Sequence, residues 1–322
     1  MLRTIATSDI SVLMPIKNGR KFVEHALLNI SDAAREAEIL IVDDGSTDGS
    51  FEYCELFSRD YPTFKVLRNP GVGICDALNY GIARSTRRWI ARFDVDDDYL
   101  PSRLSEQIEV VNSTNAVLVF SGYILCANGT TPFGSIPGAV LDIPTKLSLV
   151  TGRRTPHPSA MFLKELCVKA GGYLDQDTPA EDLSLWLRMS SLGQFATTEN
   201  ELLNYRLSAS SVTIKNRAKS IDQRNAVLRK YPINRDYFVD TLTNLDSIFK
   251  QYSQMSSPGK RTALLLLDIL CYSSFYEVKI PILRYMRMIR ELLRGTTLIA
   301  GFQLFLEARR RDNFRMSLLK HE

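Results

Sequence analysis

Long apolar runs are scarce in this 322-residue sequence; the longest, near residues 263–267 and 298–306, fall well short of the roughly 20 residues a membrane-spanning helix needs. Spanning helices are therefore not expected. The opening stretch, MLRTIATSDISVLMPIKNG, lacks an uninterrupted apolar core before a small-residue cleavage site, and Asp9 falls where that core would lie, so no signal peptide is expected. Cysteine is sparse and scattered: Cys54, Cys75, Cys126, Cys167 and Cys271 form no C-x-x-C pair and are odd in number. Neither a disulfide framework nor a zinc site is implied, and a reducing cytoplasm fits best. Charge excess is also small. A net charge of +4 and a pI near 8.7 suit a phosphorylated ligand or an anionic membrane surface but are too weak to argue for nucleic acid. No internal repeat or low-complexity segment is present.

What the chain does contain is an ordinary folding composition, 45% hydrophobic and 24% charged, with length for one large domain or two small ones. Residues 10–14 (ISVLM), 38–43 (EILIVD), 64–67 (FKVL) and 89–93 (WIARF) are short β-prone apolar runs that predict buried strands. Between them lie helically spaced apolar positions: Phe22, Ala26, Leu27 and Ile30; then Phe51, Cys54 and Phe57; then Ile74, Leu78 and Ile82. Strand and helix alternate, which predicts right-handed βαβ units and a mostly parallel sheet with helices on both faces. Ligands of such sheets sit at the carboxyl ends of the strands. The polar residues there are 15–18, 43–46 and 94–98. Shorter apolar runs at 116–120 and 159–163 read as the second half of the same domain, with a helix beginning near Pro179. From about residue 215 the pattern turns helical, and between Lys279 and Lys320 ten Lys or Arg face three acidic residues, Glu291, Glu307 and Asp312. The division expected is residues 1–215 and a helical, basic region at 216–322.

Three segments carry the chemistry. In FDVDDDYLP, carboxylates crowded directly after a buried strand repel one another unless a cation compensates them. An EF-hand loop with Asp94, Asp96 and Asp98 at positions 1, 3 and 5 fails, because Tyr99 stands at the glycine position and Ser105 at that of the bidentate glutamate. An aspartyl-nucleophile phosphatase would place its D-x-D after the first strand, not the fourth. The plain alternative is an acidic turn that caps the helix starting near Pro101. LIVDDGSTDGS ends the second strand; helix capping explains Ser46, Thr47 and Asp48 but not two consecutive aspartates, of which Asp44 could accept a hydrogen bond from a base N–H. PAEDLSLWLRM starts a helix with Pro179 in its first turn and Glu181 and Asp182 near its N-terminus, where the macrodipole alone would favour them.

Taken in order, SVLMPIKNGRKFVEHAL, EILIVDDGSTDGS, GVGICDALNYGIARS, WIARFDVDDDYLPSRLSEQ, HPSAMFLKELCVKAGGY and AEDLSLWLRMSSLG make the chain resemble a family 2 glycosyltransferase of the GT-A fold over roughly residues 9–215, in particular the bacterial branch that builds surface polysaccharides. The resemblance implies an inverting, metal-dependent enzyme. It would move a sugar from a nucleoside-diphosphate donor, by family habit a UDP-sugar, to a hydroxyl of a glycan or lipid-linked acceptor in O-antigen, capsule or lipopolysaccharide synthesis. Pro15 and Asn18 would line the nucleotide pocket, Asp44 would bind the base, and Asn79 and Arg92 would lie near the sugar diphosphate. Asp94 would approach the ribose or the metal, Asp96 would coordinate Mn²⁺ or Mg²⁺, and Asp97 would support it. Asp182 would be the catalytic base, with Glu181 helping to position the acceptor. His157 would lie near the acceptor, although a satisfied structural histidine reads equally well. One departure stands out: where the family often has Tyr-Arg-x-His after the last strand, this chain reads YRLS, with Ser208 in the histidine's place. It keeps open the alternative of a catalytically inactive sugar-nucleotide or polysaccharide-binding subunit. In the tail, Arg284, Arg287 and Arg294 flank Leu283, Met286, Ile289 and Leu293, a pattern suited to peripheral contact with the cytoplasmic face of the inner membrane or to packing against protein.

Overall fold

The computed structural model describes residues 4–127, 131–152, 154–207, 217–255 and 258–276. Its first part alternates as the periodicities predict: β1 (Ile10–Ile16), α1 (Arg20–Ala33), β2 (Glu38–Asp43), α2 (Ser50–Ser58), β3 (Phe64–Arg68), α3 (Ile74–Arg84) and β4 (Trp89–Arg92). β1 and β2 are buried at every position, as strands covered by helices on both faces must be. α1 turns Val23, Ala26, Leu27, Ile30 and Ala33 inward at helical spacing. α3 lies so close on the sheet that Gly81 has no room for a side chain: a Cβ there would meet Leu13 Cδ1 at 2.2 Å.

The strands order as β3-β2-β1-β4 with every pair parallel. Beyond β4 the sheet changes character. After β5 (Asp98–Tyr99) and α4 (Arg103–Thr114) come β6 (Leu118–Ala127), β7 (Thr131–Ile136), α5 (Asp142–Leu147), β8 (Met161–Leu163), α6 (Lys164–Lys169), α7 (Glu181–Met189) and β9 (Phe195–Leu207). The order continues β4-β8-β6-β9-β5 with β7 on β6; β8 runs antiparallel to both β4 and β6, β5 to β9 and β7 to β6, while β9 is parallel to β6. The mostly parallel sheet expected from the sequence thus describes the first half, and the whole sheet is mixed. β8 has three residues, too few for its own periodicity to announce its direction.

Helix α7 begins at Glu181 with Ala180 as its cap, so Pro179 lies just before the helix instead of in its first turn. Among the described residues four further helices follow: α8 (Arg217–Lys230), α9 (Arg235–Thr243), α10 (Leu245–Tyr252) and α11 (Pro258–Phe275). Their apolar faces, including Val227, Leu228, Phe238, Leu245, Ile248, Leu264 and Tyr272, join the same core as the sheet. Polar contacts reinforce that packing: Arg261 donates to the carbonyls of Gly138 and Glu199, Tyr252 to that of Ala139, and Thr151 to Asp268. Among the described residues no helix is long and apolar enough to cross a membrane. The basic stretch 279–320, and Ser208, lie outside the described residues.

Candidate active site at the carboxyl edge of the parallel strands

Because β2, β1 and β4 are neighbours and parallel, the segments that follow them come together at one edge. Pro15 is buried within β1, opposite Val42, and a proline so central in a sheet requires an explanation. Leu13 O accepts from Phe93 N on the β4 side and Ile16 O accepts from Asp44 N on the β2 side, so the missing N–H of Pro15 falls on the β4 side. There the paired register has already ended, at Leu13. Asn18 follows in a left-handed conformation (φ 51°); its side chain accepts from Thr47 N, and its own N–H donates to Ser46 Oγ. The loop after β1 is thereby tied to the loop after β2.

The two consecutive aspartates divide their work. Asp43, fully buried, accepts from the N–H groups of Gly45 and Ser46 and shapes the turn. Asp44 gathers three loops: it accepts from Lys17 Nζ (2.9 Å), Asn69 Nδ2 (2.8 Å) and Gly73 N (2.9 Å). Gly73 offers that N–H from a conformation (φ 100°) side chains rarely adopt. Burial opposes charge on Asp44, but these donors outweigh it and hold its carboxyl below the usual range.

The acidic turn after β4 is provisioned differently. Asp94, Asp96 and Asp97 bring a carboxylate oxygen each to within 4.8 Å of one another. Burial, and then Asp94, push Asp96 up to about 6. Burial, and then Asp96 and Asp94, push Asp97 well above the ordinary carboxylate range. Asp97 Oδ1 accepts from Arg206 N (2.8 Å), yet its Oδ2 is buried without a partner. A buried orphan oxygen beside two more carboxylates is the donor set that a hard divalent cation satisfies, so these residues fit a Mg²⁺- or Mn²⁺-sized ion. The fourth acid, Asp98, is turned away: it accepts from Arg206 Nη2 (2.6 Å) and pairs with His25 Nε2 (2.5 Å).

A buried cationic scaffold holds the turn. Arg92, at the end of β4, pairs with Asp94 (2.5 Å) and donates to the carbonyl of Phe93. Arg103, with no exposed surface, donates to Arg92 O (2.8 Å) and to Gln107 Oε1 (3.1 Å), and its guanidinium lies 4.1 Å from the Phe93 ring centre and 4.6 Å from that of Tyr99. Gln107 in turn donates to the carbonyls of Val119 and Ser159, which binds α4 to β6 and to the turn before β8. Tyr99 OH accepts from Asp94 N at 2.6 Å. Arg103 and Gln107 are the first and last residues of RLSEQ, a spacing that places them on one helix face.

The second carboxylate pair opens α7. Burial pushes Glu181 up to about 7, with Asp182 adding to the shift, and Glu181 Oε2 is buried without a partner. Asp182 is raised as well, by burial first, while the Leu183 N–H (2.7 Å) and the charge of Arg224 pull it back. The two acidic groups share one electrostatic environment: Asp94 acts on both Glu181 and Asp182, and Arg92 acts on Glu181 and on Asp96. His157 hydrogen-bonds Tyr173 OH at 2.9 Å, and burial together with Arg92 keeps its imidazole neutral. Asn79 spends its amide on the backbone of Tyr173, donating to its carbonyl (2.8 Å) and accepting from its N–H (2.9 Å). It fastens the loop before α7. Arg103, Gln107, Tyr99, Tyr173, Arg206 and Arg224 were not singled out in the sequence reading. RLSEQ and YRLS held the visible signal for three of them; the others depend on contacts distant in sequence.

Comparison with known proteins agrees with this architecture. Residues 11–161 match the family described as Glycosyl transferase family 2. An uncharacterized glycosyltransferase of Haemophilus influenzae is 25% identical over 235 residues, covering 69% of this chain and 84% of that protein. The putative teichuronic acid biosynthesis glycosyltransferase TuaG of Bacillus subtilis is 26% identical over 208 residues, 63% of this chain and 81% of TuaG. Among solved structures, S. aureus TarS 1–349 in complex with UDP-GlcNAc superposes with a TM-score of 0.58 at 14% identity, over 97% of this chain and 91% of that one. The mannosyltransferase PcManGT of Pyrobaculum calidifontis, solved with GDP-Man and Mn²⁺, gives 0.59 at 15% identity over 95% and 86%. At these identities the structural likeness speaks for the fold.

Proposed function

This chain belongs to glycosyltransferase family 2, and on that premise we propose that it transfers a sugar from a nucleoside-diphosphate donor, a UDP-sugar in the first instance, to a hydroxyl of a glycan or lipid-linked acceptor during bacterial surface-polysaccharide synthesis. The observation that carries the proposal is the pairing of two underprovided carboxylate groups: Asp94, Asp96 and Asp97 beyond β4, and Glu181 with Asp182 at the start of α7, linked through Arg92. The UDP-GlcNAc and GDP-Man named for the structural neighbours, and the teichuronic acid pathway named for TuaG, support the donor class and the product class.

In this mechanism Asp44 accepts a base N–H at the far side of the edge, and Pro15 and Asn18 line the nucleotide. Asp96 and Asp94, supported by Asp97, hold Mn²⁺ or Mg²⁺, which when bound neutralises charge growing on the departing diphosphate. Arg92 keeps Asp94 oriented by their 2.5 Å pair. Asp182 accepts the proton of the incoming sugar hydroxyl, whose oxygen bonds to the anomeric carbon as the bond to the diphosphate oxygen breaks and its electron pair leaves with the nucleotide. One in-line displacement inverts the anomeric centre, so an α-linked donor yields a β-linkage. Glu181 positions the acceptor, with neutral His157 nearby. The protein works in the cytoplasm, and the basic sequence at 279–320 suits peripheral contact with the inner membrane.

Thermal stability with UDP, GDP, CDP and dTDP, each with and without Mn²⁺, tests the donor site, because a ligand that binds only the folded state raises the melting temperature by mass action. Metal-dependent stabilisation by one nucleotide is expected. Failure of every nucleotide to stabilise the protein would overturn the donor-site assignment and favour an inactive binding subunit.

A further inference from the structure

We propose that Arg206, at the end of β9 and beyond the residues 11–161 matched by the family, is a positioning residue for the acidic turn: it holds Asp98 aside and thereby sets which oxygen of Asp97 is left for the cation. The proposal rests on the reading of Asp94, Asp96 and Asp97 as the residues that hold Mn²⁺ or Mg²⁺.

The turn ends on a strand too short to hold itself. β5 is two residues long; Asp98 and Tyr99 pair antiparallel with Asn204 and Leu203 of β9, and Leu100 N adds one bond to Leu202 O. Two elements grip it. From α1, His25 Nε2 meets Asp98 Oδ1 at 2.5 Å, and one turn further on Asn29 takes both backbone groups of Tyr99, donating to its carbonyl (2.8 Å) and accepting from its N–H (2.9 Å). From β9, Arg206 brings two donors to Asp98 Oδ2, Nε at 3.2 Å and Nη2 at 2.6 Å, while its main-chain N–H reaches Asp97 Oδ1 at 2.8 Å. One residue thus holds consecutive aspartates through different groups. The side-chain tie fixes where the main-chain N–H lies; that N–H occupies Oδ1 of Asp97 and leaves Oδ2, buried and without a partner, for a ligand.

Of the two side-chain ties to Asp98, the one from Arg206 is the stronger. Its groups are 16% and 19% exposed, whereas the His25 side chain is 63% exposed and better screened by water. The tie has a second consequence. Asp98 adjoins Asp97, and without Arg206 it would be a fourth carboxylate free to turn toward the cation. Arg206 keeps the donor set at the three acids whose oxygens converge.

Titration of the full chain with Mn²⁺, read as melting temperature with saturating UDP or whichever of the four nucleoside diphosphates stabilises the protein, tests the idea without turnover. Arg206→Met is expected to raise the half-saturating Mn²⁺ concentration about 10-fold, the lower end of what losing the outer partner of a metal ligand typically costs. Coulomb attraction alone predicts the opposite sign, because removing a positive charge near a cation site tightens it. An unchanged or lower half-saturating concentration therefore overturns the proposal. Arg206→Lys keeps the charge but offers one point donor in place of the fork, so a smaller rise, a few-fold, is expected and no rise overturns the proposal; this variant decides alone if Arg206→Met does not fold. In the Asp98→Ala background the tie is already gone, and Arg206→Met should weaken Mn²⁺ binding no further. An equal weakening there means that Arg206 acts by another route, and the proposal falls. Asp96→Ala separates the two ideas: Mn²⁺ dependence that survives it removes the metal-site reading itself, whereas its loss beside wild-type titrations of the Arg206 variants removes only Arg206.

Discussion

On one side of β1, the aspartates that end β2 sit among donors: Asp43 takes the N–H groups of Gly45 and Ser46, and Asp44 takes Lys17, Asn69 and Gly73. On the other side, the turn after β4 crowds Asp94, Asp96 and Asp97 together, leaves Asp97 Oδ2 without a partner and pushes Asp96 up to about 6. Both groups follow parallel strands of one sheet and share a residue type. The first is completed by the protein, and Asp44 within it keeps its charge easily. The second is completed only by something positive from outside, which marks it as the place where ligand chemistry is concentrated.

The largest effect that would sharpen this contrast is Asp96→Ala. Turnover should fall by about 10³-fold or more, since charge stabilisation of this kind is typically worth roughly 3–4 kcal/mol, and Mn²⁺-dependent stabilisation by nucleotide should vanish while the metal-free protein stays folded. Metal-dependent nucleotide binding that persists would break the comparison. Next is Asp182→Asn, with a loss of transfer of about 10²- to 10⁴-fold and nucleotide stabilisation retained; parallel assays of release and melting temperature tell the two apart.

A smaller effect separates the groups by pH. Asp96 and Glu181 are raised in the fold above their unfolded values, to about 6 and about 7, so the stability they contribute is complete below the unfolded carboxylate range and is lost as pH rises through those values. Asp44 and Glu38 are lowered, and their contribution is present above the unfolded range and lost as pH falls, for Glu38 through about 2. The metal-free protein should therefore lose several degrees of melting temperature, about 2–4 °C per kcal/mol, between pH 5 and pH 8. Mn²⁺ should flatten the part due to Asp96, and Glu181→Gln the part near pH 7. A metal-free melting temperature independent of pH in that window would contradict the underprovided state of both pairs. The smallest effect belongs to Lys17→Met. Its pair with Asp44 is made by a side chain 53% exposed, so the cost should stay under about 1 kcal/mol and nucleotide affinity should change only a few-fold by titration.

The parallel half of the fold was legible because its strands are short apolar runs ended by polar clusters, and α1, α2 and α3 repeat their apolar positions at helical spacing. The antiparallel half was not, since β8 has three residues and takes its direction from partners β4 and β6 that lie distant in sequence. The acidic turn was visible as a run of one residue type. Which acids face inward was not: Asp98 is adjacent to Asp97 in sequence, yet it is claimed by Arg206 and His25. Likewise, nothing in GVGICDALNYG announces that the Asn79 amide would be spent on Tyr173, 94 residues away.

Sequence alone determined where charge is concentrated, because carboxylates placed directly after buried strands are brought to one edge by the geometry of a parallel sheet whatever the rest of the chain does. It also determined the alternation of strand and helix, through local periodicity that survives without partners. Tertiary structure alone decided which of those carboxylates are satisfied. Hydrogen-bond donors for Asp44 come from two loops, those after β1 and β3, and those for Asp97 and Asp98 from the end of β9 and, for Asp98, from His25 on α1. Burial raises the free energy of every charge it encloses, and only the folded arrangement of donors sets which charges are repaid and which are left for a ligand.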